Sequence, residues 1–563
     1  MASLTGSRFL FFTTSPRTPM KMVPEIEVLN DEFRGRIWNS KTQEEFMQAL
    51  INEKVYEGKG PKDLSFAGRD RINRGPKSLG FVKLSPNIQL TDSGNLLVNS
   101  KRKEEVLLRQ ILKFQLPSPY HTKSKKEKNK FNIKPYLEII RLIKKFGSLT
   151  FDEIMLFGLQ LVDYNDFDII CKKIEQFRIE KAKSKGNYKK FRTRILREII
   201  LDLFNEDIKV GKTKLRESND NSINNFIKTK SSTMRDYTDA CFRYLRATGI
   251  VSISQRNKSI SIRKEKSIEV DYFLKNIDRE PVFIDNLDKY QEILFDSKLP
   301  VLYTDDRDNL MNQIIEASEI KLLKSDLDKY SSELLKDKLF DILLEKKNKA
   351  LSNEIMRIKD YSRYDDIINT YKDIKNKDLY DLPLMLEWNT WRAMTMLDGG
   401  KIIANLNFDD SGEPMSTAIG NKADIVCDYE DFGVTVEVTL SSGARQYEME
   451  GEPVTRHLAN YKKEINKNAY CLFISPNINE ACISHFFILH KLNIDYYGGK
   501  SIIVPLPLAT FEKMLEDSFK SSYVPEPKKI EDFFKFSEKI AASVDNEVEW
   551  YEKINEKALN WLA

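Results

Sequence analysis

The sequence predicts a multidomain α/β protein with a helical and winged-helix N-terminal half, a helical connector and a C-terminal domain built on a mixed sheet. The chain has 563 residues, more than one hydrophobic core usually organises. Residues 1–270 carry a net charge of +21, whereas the remaining residues carry −16. Between Pro300 and Pro383 the chain contains no proline or glycine, and apolar residues recur at helical spacing. We therefore predict three regions, at 1–275, 276–370 and 371–563.

Two segments of the N-terminal region show the pattern of a helix followed by a two-stranded wing. The first runs through LGFV (79–82), a turn and IQLT (88–91), and another helix begins at DSGNLLV (92–98). In the second, a helix ends near Gly249, and the alternating strands IVSIS and SISIR flank a turn at 255–258. Basic side chains beside these wings suit contacts with phosphates or base edges, the alternative for each being a solvated surface charge. The candidates are Arg69, Arg71, Arg74, Lys77, Arg235, Arg256 and Lys258.

The composition excludes several classes of protein. No apolar run approaches the ~20 residues that cross a bilayer, and FLFFT (9–13) is too short for a signal peptide, so we predict a strand there. We therefore expect no membrane association. The five cysteines show neither CxxC nor zinc-finger spacing, which indicates a reducing, cytoplasmic location and no structural zinc. A basic region joined to an acidic one is typical of a nucleic-acid-binding part fused to a metal-dependent catalytic part. The alternative is a coincidence of surface charge.

The C-terminal region centres on two predicted strands, DIVCDY (424–429) and FGVTVEVT (432–439), joined by a Tyr-Glu-Asp turn. Asp424 begins the first strand and Glu437 lies near the end of the second, so antiparallel pairing would bring them within ~5 Å on one face. Glu437 lies in an apolar strand, where an unpaired carboxylate is costly to desolvate. With the backbone carbonyl of Val438 as a third oxygen, the pair suits Mg²⁺. The alternative is solvated charge at a sheet edge.

Helices and strands predicted on both sides of this hairpin complete the mixed sheet. A helix over PLMLEWNTWRAMTML (383–397) carries Glu387, and the strand IIANL (402–406) follows it. After the hairpin we predict a helix that begins at Pro453, because proline suits the first turn of a helix. The strands AYCLFIS (469–475) and SIIVPL (501–506) alternate with further helices.

Several sequence blocks carry a family resemblance. They are LEWNTWRAM (386–394), GNKAD (420–424), VEVTLSSGARQYEMEGEPVTRH (436–457) and YCLFISPNIN (470–479), with SPRTP (15–19), GRDRI (68–72), LGFV (79–82) and RYLRATGI (243–250) in the N-terminal half. The order of acidic helix, hairpin and D…ExT is similar to the PD-(D/E)XK nuclease fold. At finer resolution the chain resembles the AlwI family of type IIS restriction endonucleases, which includes strand-specific nicking enzymes.

The resemblance implies a Mg²⁺-dependent endonuclease that binds a short asymmetric site in double-stranded DNA and cuts at a fixed distance outside it. Cleavage of both strands would require a transient dimer of cleavage domains or a separate small catalytic subunit, and a cognate DNA methyltransferase would be the system partner. The expected metal ligands are Asp424, Glu437 and the carbonyl of Val438. The implied catalytic residues are Glu387, Asp424, Glu437, Glu450 and His457.

The sequence departs from the nuclease pattern at one position. The fold's usual lysine, two residues after the glutamate, is Thr439 here, and threonine supplies no positive charge. Arg445, Arg456 and His457 are the candidates for that role. Two other functions stay open at this point: a sequence-specific DNA-binding protein with an inactive nuclease domain, and a structure-specific or transposase-like nuclease.

Overall fold

A computed structural model of the chain describes residues 4, 6–56, 60–121, 131–184, 187–214, 220–397, 400–409, 412–418, 422–521 and 526–562. The chain divides into two compact units, Met1–Ile342 and Leu343–Ala563. The division falls within the region predicted as a connector, so residues 276–342 belong to the first unit and 343–370 to the second. The Gly420 and Asn421 of the GNKAD block lie outside the described residues.

The first unit is mainly helical. Its strands are β1 (Val82–Lys83), β2 (Gln89–Leu90), β3 (Ser148–Thr150), β4 (Val251–Ser254) and β5 (Ser259–Ile262). Its helices are α1 (Met22–Phe33), α2 (Ser40–Asn52), α3 (Leu64–Arg74), α4 (Asp92–Asn99), α5 (Lys103–Lys113), α6 (Pro135–Phe146), α7 (Phe151–Leu156), α8 (Phe167–Lys183), α9 (Tyr188–Leu203), α10 (Asn205–Lys209), α11 (Ile223–Arg246), α12 (Ser267–Asn276), α13 (Leu287–Phe295), α14 (Arg307–Ala317), α15 (Lys324–Leu327) and the first part of α16 (Ser332–Lys359).

Both predicted wings are antiparallel hairpins. The short strands β1 and β2 pair between α3 and α4. Strands β4 and β5 pair after α11, and β3 joins β5 to make a three-stranded sheet. The N-terminal strand predicted at 9–13 is wrong, because this segment has no ladder partner. Phe9, Leu10 and Phe12 are buried by packing instead, and the Leu10 N–H donates to the carbonyl of Leu159 at 2.7 Å.

The second unit is a mixed α/β domain, as the sequence predicts. Its strands are β6 (Lys401–Ala404), β7 (Leu406–Phe408), β8 (Pro414–Thr417), β9 (Ile425–Asp428), β10 (Phe432–Val438), β11 (Asn468–Ser475) and β12 (Ile503–Pro507). Its helices are the remainder of α16, then α17 (Tyr364–Asn376), α18 (Leu382–Leu397), α19 (Ala444–Ile465), α20 (Glu480–Lys491), α21 (Leu508–Ser521), α22 (Pro527–Ser543) and α23 (Glu547–Leu559).

Five of these strands form one sheet in the order β12-β11-β10-β9-β6. The pairs β12–β11 and β11–β10 are parallel, whereas β10–β9 and β9–β6 are antiparallel. The side chains of β10 and β11 are buried along almost their whole length, because helices including α18, α19 and α21 pack against the sheet. This burial explains the nearly continuous apolar sequence of β11.

Helix α19 corrects one prediction. It begins at Ala444, nine residues before the predicted start, and Pro453 lies inside it. Proline lacks the N–H that the preceding turn would accept, so a local rule places it at a helix start. Packing of α19 against β10, β11 and α20 overrides that preference. In the described part of the chain, no helix is both long and apolar enough to span a membrane.

Candidate active site

The register of the β9–β10 hairpin places Asp424 opposite Glu437. Val436 pairs with Ile425 at the last position of the ladder, and one further step along both strands reaches the two carboxylates. Residues opposite each other on antiparallel strands project from the same face. The carboxylate of Asp424 also accepts a hydrogen bond from the backbone N–H of Val438 at 2.9 Å. This bond holds Asp424 against the end of β10 that carries Glu437.

Helix α19 is held against the same strand by a close contact. A Cβ at Gly433 would lie 2.5 Å from the ring atom Cε1 of Tyr461, so glycine is needed for this approach. The Tyr461 hydroxyl donates to the carbonyl of Cys427 at 3.4 Å. His457 lies one turn before Tyr461 on α19, and Glu437 lies four residues after Gly433 on β10. The side chains of His457 and Glu437 are in contact. Their atoms Nδ1 and Oε1 are 2.8 Å apart.

The Glu437 carboxylate is almost fully buried, with the residue 5% exposed. Burial raises its pKa well above the usual value, and the nearby Glu450 carboxylate raises it further. The backbone N–H of Asp424 and the guanidinium of Arg456 act in the opposite direction by favouring the ionised form. The strand therefore carries a carboxyl group whose charge depends on the cations around it.

Glu450 completes a cluster on one face of α19. It lies seven residues before His457, about two helical turns, so the two side chains project from the same face. Burial raises the pKa of Glu450, while a hydrogen bond from the Thr439 hydroxyl and the charge of His457 lower it. Had the helix begun at Pro453, Glu450 would not share a face with His457.

The structure separates the three candidates for the missing lysine charge. Arg445 is exposed in the first turn of α19. Arg456 is largely buried, forms an ion pair with Glu452 at 3.0 Å, and stabilises the ionised form of Glu437. His457 contacts Glu437 directly. Positive charge therefore reaches Glu437 from α19, while Thr439 serves as a hydrogen-bond donor to Glu450.

Gln446 is a buried residue of this region that the sequence patterns did not single out. Its Nε2 donates to the Ser441 carbonyl at 2.9 Å, the Ser475 hydroxyl at 2.8 Å and the Asn477 carbonyl at 2.9 Å. Its Oε1 accepts from the backbone N–H of Asn479 at 2.7 Å. One amide thus ties the loop after β10 to the end of β11. The sequence marks Gln446 through its position in the 436–457 block. Three of its hydrogen-bond partners, Ser475, Asn477 and Asn479, lie in the 470–479 block.

Glu387, the fifth predicted catalytic residue, lies half-buried on α18. This helix packs against β6, β8 and β10. Its neighbour Arg392 is buried, stacks over the ring of Trp388 and forms an ion pair with Asp366 at 2.5 Å. The packing of α18 on these strands places Glu387 in the same unit as the cluster around Glu437.

The donor chemistry of the cluster fits a hard cation. Among the described residues, no three or more His, Cys, Asp and Glu side chains form a ready-made metal group. The candidate ligands are instead two carboxylates, Asp424 and Glu437, with the carbonyl of Val438, all of them oxygens. Glu437 is destabilised as an anion by burial and by Glu450, and a divalent cation between these groups would favour the ionised form.

The basic residues predicted for the first unit have different surroundings. Arg71 forms an ion pair with the buried carboxylate of Glu25 and lies over the ring of Tyr56, so its charge is balanced inside the fold. Arg69, Arg74 and Lys77 line a single cavity of about 690 Å³. On the second wing and the helix before it, Arg235 and Arg256 are exposed and Lys258 is half-buried.

One family model and several solved structures are similar to this chain. A family model described as AlwI restriction endonuclease matches residues 77–514. No curated protein matches the chain. Among solved structures, the small subunit of the heterodimeric restriction endonuclease BspD6I is 26% identical, with 35% of this chain and 95% of that chain covered and a TM-score of 0.28.

A second solved structure, the restriction endonuclease FokI, is 12% identical, with 95% of this chain and 99% of that chain covered and a TM-score of 0.23. At these TM-scores neither structure adds to the description of the fold. The family match extends from the first wing to α21 and includes the whole cluster around Glu437. The chain belongs to the AlwI restriction endonuclease family.

Proposed function

We propose that this protein is a type IIS DNA endonuclease that uses Mg²⁺. The first unit binds a short asymmetric site in duplex DNA, and the second hydrolyses a phosphodiester bond at a fixed distance outside that site. The observation that carries the proposal is the convergence of Asp424, Glu437, Glu450 and His457 at the end of β10. A relic domain has no reason to keep this set of titratable groups together.

The roles of the residues follow from their contacts. Asp424 and Glu437, with the carbonyl of Val438, would hold Mg²⁺, and Glu387 would assist in holding the metal or water. Mg²⁺, when bound, lowers the pKa of a water molecule and balances negative charge on the phosphate. His457 fixes the orientation of the Glu437 carboxylate through the Nδ1–Oε1 hydrogen bond. Glu450 supplies a carboxyl group whose pKa is raised by burial, so it is a candidate for proton transfer.

The basic residues of the first unit provide the DNA-binding surface. Arg69, Arg74 and Lys77 converge on one cavity, and Arg235, Arg256 and Lys258 lie on the second wing and its preceding helix. The net charge of +21 over residues 1–270 supports attraction to the DNA backbone.

The cluster around Glu437 provides one cleavage site, which can cut only one strand of a duplex in a given binding orientation. Cleavage of both strands therefore requires a transient dimer or a small catalytic subunit, and a cognate methyltransferase would protect the host DNA.

The test is incubation of the purified chain with supercoiled plasmid and Mg²⁺, beside Asp424→Ala, followed by sequencing of the ends. We expect the wild type to give ends at one offset from one motif, and Asp424→Ala to bind the same DNA without cutting it. Open circles would identify a nicking enzyme, and linear product would identify cleavage of both strands. Intact DNA binding by the wild type without any product would contradict the proposal and leave a DNA-binding protein.

A further inference from the structure

The first unit contains a large cavity lined by aromatic and basic side chains. It measures about 690 Å³ and lies between the N-terminal segment, α3 and the chain near Tyr120 and Tyr290. Its volume is in the range of sites for small organic molecules. The stacked bases of a duplex present only their edges, whereas a concave site of this depth accepts a whole planar group.

Aromatic rings form much of the cavity wall. Phe11 lies 6.4 Å from Tyr237 and 5.8 Å from His121 between ring centres, and Tyr120 meets Tyr290 edge to face at 5.6 Å. Burial lowers the pKa of His121 to about 4, so its ring is neutral at physiological pH. Together these side chains offer flat, uncharged surfaces on which a base can stack.

The rim of the cavity carries positive charge beside an exposed aromatic ring. Phe66 is 44% exposed, and the guanidinium of Arg69 lies over its ring at 5.2 Å. Arg74 is exposed and forms an ion pair with Asp70 at 2.6 Å. The ammonium of Lys77 lies 5.2 Å from the centre of the Tyr120 ring. Such a rim suits the phosphate of a nucleotide whose base occupies the cavity.

Asn73 offers a hydrogen-bond acceptor inside the cavity. Its Oδ1 is buried and has no hydrogen-bond partner among the described residues. The neighbouring hydroxyls of Thr13 and Ser78, by contrast, already have a partner, because both donate to the carbonyl of Arg74. A buried carbonyl oxygen without a partner is costly, so a ligand that donates to it gains affinity. Every base carries an N–H donor on its pairing edge, either an exocyclic amino group or a ring N–H.

We propose that this cavity binds one nucleotide of the target DNA after it has left the base stack. The base lies against the aromatic wall, its pairing edge donates to Asn73 Oδ1, and its phosphate lies at Arg69 and Arg74. The inference rests on the proposed function, since it assumes that the first unit binds duplex DNA. It adds that part of the recognition depends on how easily one base pair opens.

The experiment uses the full chain, the motif identified by plasmid cleavage, and duplexes in which the base opposite each position is replaced in turn by an abasic residue. This change removes pairing but keeps the nucleotide itself. Binding is measured without divalent cations, so the DNA stays uncut. We expect roughly tenfold tighter binding at one position, because the cost of opening that pair has been removed.

Two variants test the cavity directly. Asn73→Ala and Phe66→Ala should each remove most of this tightening while leaving binding to the fully paired site weakened by roughly tenfold or less. Phe283→Ala is the matched control, because Phe283 is also an exposed aromatic residue of this unit, 40% exposed, and does not line the cavity. It should leave the tightening unchanged.

Other outcomes would overturn the inference. If an abasic residue leaves the affinity equal at every position, with site-specific binding and cutting intact, the unstacked nucleotide is rejected while the proposed function stands. A flat scan together with competition by millimolar dAMP or dCMP would assign the cavity to a free nucleotide instead. If the wild type does not bind a specific DNA site at all, the proposed function itself is rejected, and this outcome is distinct from the two above.

Discussion

Gln446 gives the sharpest test of how the candidate active site is built. Its side-chain amide makes four hydrogen bonds that join the loop after β10 to the end of β11. Gln446→Ala would leave the Asn479 N–H and the carbonyls of Ser441 and Asn477 without this partner. Each polar group deprived of both partner and water costs about 1–3 kcal/mol. Asn477 is exposed and regains water, whereas Ser441 and Asn479 are half-buried and regain it only in part. These two groups therefore each cost about 1–1.5 kcal/mol, at the low end of the range, and we expect a total loss of about 2–3 kcal/mol.

Urea denaturation followed by tryptophan fluorescence measures this loss in the second unit. Four of the five tryptophans, at 388, 391, 550 and 561, lie in that unit, so the signal reports mainly on it. The expected decrease in stability corresponds to a midpoint lower by about 1 M urea. Asn560→Ala is the control, because Asn560 is exposed and its amide donates to the Glu556 carbonyl of α23 at 3.2 Å. It should leave the midpoint within error.

The same variant should also impair cleavage. The loop that Gln446 holds connects Glu437 and Thr439 to the helix that carries Glu450 and His457, so its displacement misaligns the two parts. A displacement of about 1 Å can reduce a rate by about 100-fold, and we expect a 10- to 100-fold slower single-turnover cut at unchanged DNA affinity. An unchanged midpoint and an unchanged rate would refute the assigned role of this amide.

Three further predictions concern charge. His457→Ala should slow cleavage by about 100-fold or more at unchanged DNA affinity, measured by single-turnover nicking, because Glu437 loses the partner that orients it. Arg456→Ala should be slower than wild type and partly rescued by Thr439→Lys, since both cations favour the ionised Glu437; absence of rescue would exclude this shared role. In the first unit, burial acts to raise the pKa values of Glu105 and Asp305, but nearby cations outweigh it. Lys336 and Arg109 lower the pKa of Glu105 from 4.5 to about 2, and Arg109 and Lys336 lower that of Asp305 from 3.8 to about 2. Their contribution to stability is therefore complete above about pH 4.5 and is lost as the pH falls through 2, and circular dichroism during acid titration should show Arg109→Met with a weaker pH dependence in this window.

The parts of the structure that the sequence predicted correctly depend on local rules. The hairpin of β9 and β10 is one example, because a three-residue turn and alternating apolar residues define the register that sets Asp424 opposite Glu437. The start of α19, by contrast, depends on contacts that are distant in sequence, so local rules predict it wrongly. Proline at 453 has a strong local preference, and only packing against β10 and β11, which are distant in sequence, overrides it. The role of Gln446 was invisible because three of its partners lie 29 to 33 residues away.

Position in the fold also decides what a basic residue can do, and here sequence spacing misleads. Arg71 and Arg74 are three residues apart on α3, yet one pairs with the buried Glu25 while the other is exposed at a cavity rim. The position of Thr439, where the nuclease fold usually has a lysine, is a second example, because here a charge absent from the strand is supplied by another element. Glu437 receives positive charge from Arg456 and a hydrogen bond from His457, both on α19, a helix that follows the motif in the chain. A search for the charge within the strand therefore fails, although the charge lies next to the carboxylate that needs it.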